Sequence, residues 1–128
     1  MRLDKCKHAE FIADLREAYF SILYQTGQNV KQDSILEMTV NKPAKSFYVS
    51  FDEGSRIINN MERGECIRVS QRQVEKCKDL YGVFLRIKEE FPLYKREILI
   101  RMSIESEAPK FYLHPLSARN ILRKNIRI

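Results

Sequence analysis

Residues 97–122, EILIRMSIESEAPKFYLHPLSARNIL, echo residues 33–58, DSILEMTVNKPAKSFYVSFDEGSRII, without a gap at a shift of 64. Met38/Met102, Ala44/Ala108, Phe47/Phe111, Tyr48/Tyr112 and Ile57/Ile121 are identical across this register. Conservative pairs fill in around them: Asp33/Glu97, Ile35/Leu99, Leu36/Ile100, Thr39/Ser103, Val40/Ile104, Val49/Leu113 and Ile58/Leu122. Upstream, Lys31/Lys95, Phe20/Phe84 and Leu23/Ile87 continue the same register. A repeat of this length predicts two copies of one unit: a long helix, a short helix, an extended Phe-Tyr segment and a final helix. Two such units would pack about a pseudo-twofold axis, like a homodimer fused into one chain.

The apolar spacing supports six helices. Phe11, Ile12, Leu15, Tyr19, Ile22 and Leu23 recur at three and four residues, which marks one face of a helix over 8–25 that ends at Thr26-Gly27. Ile35, Leu36, Met38 and Val40 form a short helix capped by Asp33 or Ser34. Ser50 with Glu53 three residues on is a capping box opening a helix over 51–63, with Gly64 as its stop. Ser70 and Gln73 repeat that signal before Val74, Cys77, Leu80, Tyr81, Phe84, Ile87 and Phe91, and Pro92 ends the run. A shorter helix covers 95–103. The last begins with His114 at its cap and Pro115 at its first position, where a missing N–H has no cost. Phe47-Tyr48 and Phe111-Tyr112 read as extended approaches that staple each final helix, with neighbouring rings on opposite sides of the chain.

Composition agrees with an all-α class. Only four Gly and four Pro in 128 residues argue against a many-turned β-sandwich or barrel, and 44% hydrophobic residues suffice for one core. We expect a single domain over 1–128, its repeat-like halves spanning 8–64 and 71–128. No apolar run long enough for a membrane span occurs, the charged start MRLDKCKHAEF has no signal-peptide character, and Cys6, Cys66 and Cys77 suit a reducing cytoplasm.

Charge separates the halves. Residues 1–64 carry nine Lys/Arg and nine Asp/Glu, so all six net positive charges fall within 65–128. The last ten residues, RNILRKNIRI, hold Arg119, Arg123, Lys124 and Arg127 and no acidic side chain. On a helix, 119, 123 and 127 align as a stripe suited to a phosphate backbone. Lys95, Arg96, Arg101 and Lys110 add to the candidate nucleic-acid set, the first three as a loose helix-turn-helix after the turn at Glu89–Tyr94. A ribbon-helix-helix, with Ser46, Tyr48 and Ser50 reading bases from a strand, is the weaker alternative. Neither GxGxxG, GxxxxGK[ST], HExxH nor GxSxG is present, and Cys6-Lys7-His8 lacks the further ligands of a metal site, so no catalytic residue, cofactor or metal is expected.

PAxxFYVS at 43–50 and APxFYLxPxxA at 108–118 resemble small uncharacterised helical proteins of bacterial prophages and mobile elements. That resemblance implies no activity and no site residues; it implies a setting in which DNA or a phage protein is the partner. The sequence thus points to a non-enzymatic nucleic-acid-associated accessory or regulatory protein acting on DNA or RNA through its basic second half. The alternative is a protein-interaction module or homodimer with no nucleic-acid contact.

Overall fold

The computed structural model describes residues 5–27, 29–65 and 70–126. Its helices begin and end where the local chemistry directs. They are α1 (Lys5–Thr26), α2 (Gln32–Val40), α3 (Phe51–Glu62), α4 (Gln71–Glu90), α5 (Arg96–Ile104) and α6 (Pro115–Ile126), with no strand among the described residues. Ser50 Oγ accepts the Glu53 N–H at 3.1 Å and Ser70 Oγ accepts the Gln73 N–H at 3.2 Å, each satisfying an orphan donor. At Ser50 only this half of the capping box forms. Gly27 and Gly64, both at φ 74°, close α1 and α3 in the left-handed conformation that glycine adopts without penalty. The cap of α2 is a correction: Lys31 occupies the position and makes no side-chain bond, while Asp33 lies in the first turn, where its charge meets the helix dipole.

The third helix of each half packs against the other half. α1 packs on α2 and α6, whereas α4 packs on α5 and α3; neither α1 with α3 nor α4 with α6 makes a helix contact. The chain therefore exchanges α3 and α6 across its middle, as domain-swapped protomers exchange an element. The crossing is narrow. Ala44 and Ala108, each 1% exposed, trade reciprocal N–H···O bonds of 2.9 Å. The Phe47 N–H donates to the Ile104 carbonyl at 3.1 Å, and the Phe111 N–H donates to the Val40 carbonyl at 2.9 Å. These contacts recur at a spacing of 64 residues.

Two sequence expectations change here. The Phe-Tyr segments are not simply extended: Tyr48 (φ 53°) and Tyr112 (φ 59°) are left-handed, an unusual state for a bulky residue. Each kink turns the chain away from its own half toward the other. In addition, α1 and α4 correspond at a shift of 65, not 64. Leu15 and Leu80 are both fully buried and Tyr19 pairs with buried Phe84, whereas Phe20, the partner expected for Phe84, is 41% exposed. The second half is one residue shorter between its long and short helices.

Side-chain sizes at the crossing are complementary. A Cβ on Gly54 would stand 2.6 Å from Ile104 Cγ2. The residues 64 further on and 64 back are Ala118 and Val40, so a larger residue on α3's counterpart is matched by a smaller one on α5's counterpart. Gly54→Ala should lower stability by about 1–3 kcal/mol despite its better helix propensity. Ile104→Ala, which removes Cγ2, should cost about 2–5 kcal/mol alone. The double variant, measured by denaturant unfolding, should lose less than the sum, because the new Cβ then fills space that Cγ2 has left; strict additivity would contradict the packing.

Candidate functional site

The described cations singled out in sequence divide between α5, α6 and the segment leading into α6, and α5 and α6 make no helix contact. Lys95 caps α5 and is exposed. Arg96 instead clamps α5 to α3: its guanidinium donates to Glu62 Oε2 at 3.1 Å and to Asn59 Oδ1 at 2.6 Å, and lies 5.3 Å from the centre of the Phe84 ring. That hydrogen bond holds the Glu62 carboxyl below its usual pKa and raises that of Arg96. Arg101 lies over the Phe51 ring at 4.7 Å, with Glu97 3.6 Å away. Lys110 pairs with Glu75 at 2.8 Å, and this bond lowers the Glu75 pKa. Three of the eight candidates thus bind other parts of the chain.

The remaining described cations lie on α6, which does not contact α5. Arg123 and Lys124 are exposed, and α6 carries no acidic residue. Arg119 is half-buried, with an Nε that finds no hydrogen-bond partner. Arg127 lies outside the described residues. The helix-turn-helix reading fails on Arg96, whose side chain is tied down by Glu62 and Asn59. The ribbon-helix-helix reading fails because no strand exists here: Ser46 Oγ accepts the Tyr48 N–H at 3.1 Å and Ser50 caps α3.

The Phe-Tyr pairs build a different feature. Tyr48 OH donates to Asp14 Oδ2 at 2.7 Å, and Tyr112 OH donates to Asp79 Oδ2. Asp14 is buried and its Oδ2 also accepts the Lys45 N–H at 2.8 Å. Burial first, then the bonded carboxylate, pushes both phenol pKa values far above their ordinary 10.0. Phe47 stacks on Tyr112 at 6.2 Å, while Phe11 meets Tyr48 at 5.3 Å and Phe111 at 6.3 Å. Between these rings and the first turns of α1 and α4 lies a cavity of about 610 Å³, which His8, Gln73 and Lys76 also line.

Sequence reasoning found Phe47, Tyr48, Phe111 and Tyr112 but missed Asp14, Asp79, Phe11 and Lys76. The signal was present. ADL at 13–15 and KDL at 78–80 align only at a shift of 65, and the register of 64 places Asp14 opposite Lys78. Comparison of the chain with protein-family models, curated proteins and solved structures finds no match.

Folding raises both phenol pKa values, so their stabilisation is complete below pH 10 and is lost as pH climbs above it. A phenolate absorbance titration should show Tyr48 and Tyr112 ionising only with alkaline unfolding. Tyr48→Phe and Tyr112→Phe should each cost about 1–3 kcal/mol in denaturant and each remove one late-titrating phenol.

Proposed function

We propose that the chain is a non-enzymatic, nucleic-acid-associated accessory or regulatory protein of the cytoplasm, contacting DNA or RNA through α6. One observation carries the reading: α6 presents Arg123 and Lys124 to solvent on a helix with no acidic residue. Arg119 lies one turn before Arg123 on the same helix, half-buried, so its guanidinium extends the same basic row. The contact belongs to one helix rather than to the whole basic half, since Arg96, Arg101 and Lys110 are occupied within the fold. The two halves differ here: α3, which matches α6 at a spacing of 64 residues, carries Asp52, Glu53 and Glu62, so the basic surface belongs to α6 alone of the two. No described helix is long and apolar enough to cross a membrane.

Protein interaction is the second reading, supported by Tyr24 and Leu93, which are 90% and 96% exposed. A chain that stays monomeric and retains no partner from its host would count against it.

Fluorescence anisotropy with a short duplex and a single strand tests the primary reading. Three phosphate contacts predict a log–log salt slope of about −2.7 for duplex between about 50 and 200 mM salt. Replacing Arg119, Arg123 and Lys124 by Gln should abolish binding, while Lys95→Gln and Arg101→Gln should leave it nearly unchanged. Binding indifferent to salt, or retained by the triple variant, would refute the assignment to α6.

A further inference from the structure

The cavity between α1 and α4 is symmetric in its framework and asymmetric in its chemistry. Phe47 and Phe111 recur across it at a spacing of 64 residues, as do Tyr48 and Tyr112; on the long helices His8 corresponds to Gln73 at 65. The same correspondence sets Phe11 on α1 against Lys76 on α4. Phe11 closes its end with rings, 5.3 Å from Tyr48 and 6.3 Å from Phe111. Lys76 is half-buried and forms no hydrogen bond or ion pair among the described residues. Glu53 and Cys77 favour its charge through space without a hydrogen bond, and burial, the larger effect, lowers its pKa.

An ammonium held part-way out of water without a hydrogen bond destabilises a fold, and such a group facing a cleft marks a candidate ligand site. The described lining contains no carboxylate, whereas Lys5, His8 and Lys76 all contribute to it. Its volume of about 610 Å³ suits a small organic molecule.

We propose that this cavity binds a small amphipathic anion, an aromatic carboxylate in the first instance, with its flat body against Phe11, Tyr48 and Phe111 and its acidic group at Lys76. The ring faces supply apolar contact and stacking, and Lys76, the half-buried cation of the lining, supplies a charge-assisted hydrogen bond that fixes orientation. Phe11 and Lys76 together define polarity: a symmetric pocket would accept either orientation, and this one accepts one. The site is separate from α6 and does not depend on nucleic-acid binding.

The test uses 1-naphthaleneacetate as probe, with the neutral 1-naphthaleneethanol and the aliphatic octanoate as comparison arms, in calorimetry and amide chemical-shift mapping on the full chain. The naphthaleneacetate should bind at least tenfold more tightly than the neutral analogue, shifting amides at 47–49, 111–113 and the start of α4. Tighter octanoate binding would replace the aromatic class by an aliphatic one and overturn that part of the assignment. Lys76→Met should lose the preference for the acid at least tenfold while melting at the same temperature as the parent or higher. Lys76→Gln is the second variant. A lower melting temperature in both would make Lys76 a structural group and overturn the proposal. So would equal affinity for acid and alcohol, shifts confined to α6, or no binding at millimolar probe.

Discussion

Two tyrosines in left-handed backbone conformation, each held by an aspartate, determine how this chain is connected. A bulky residue at φ near 55° carries a cost of roughly 1–2 kcal/mol relative to ordinary conformations, and it persists only where its surroundings over-determine it. Here the surroundings are specific. Tyr48 OH is bonded to Asp14 and Tyr112 OH to Asp79, and each aspartate is on the long helix of the same half. With the ring fixed on its own half, the positive φ sends the following helix to the other. The exchange of α3 and α6, the reciprocal Ala44–Ala108 bonds and the burial of Phe47 and Phe111 all accompany that turn.

The exchange explains why small residues stand at the crossing. Ala44 and Ala108, bonded backbone to backbone, are almost fully buried, and α3 approaches α5 closely enough that a Cβ on Gly54 would stand 2.6 Å from Ile104 Cγ2. Thr39 and Ser103, fully buried on α2 and α5, return their hydroxyls to the carbonyls of Ile35 and Leu99 at 2.7 Å, so neither hydroxyl is left unsatisfied. The framework is thus repeated in detail, and the departures from it carry the chemistry. Lys76 replaces a phenylalanine at the cavity, and Arg119 replaces the serine that α3 has at position 55.

Much of this was legible in the residues. Helix identities, the serine caps, the glycine stops and the echo between 33–58 and 97–122 depend on local chemistry that a sequence displays directly. Three things were not. The left-handed tyrosines are invisible because no local rule favours them; tertiary contacts impose the conformation. Arg96 looked like a phosphate ligand because its partners, Glu62 and Asn59, are distant in sequence and meet it only after the exchange. Asp14 and Asp79 escaped notice because a single missing residue between helices shifts the register of α4 by one, and a gapless comparison sets Asp14 against a lysine. The Phe-Tyr pair, read as a staple that holds a helix start, does hold it, but by way of its hydroxyl and its backbone as much as its ring.

The exchange of third helices is tested most directly by separating the halves. Residues 1–65 contain α1, α2 and α3, yet the helices that α3 packs against, α4 and α5, lie beyond residue 70. Each half produced alone should lack a cooperative unfolding transition as a monomer, while mixing them in equal amounts should restore a folded one-to-one complex, read by circular dichroism and sedimentation. A folded, cooperatively unfolding monomer of residues 1–65, with α3 protected from hydrogen exchange, would contradict the account.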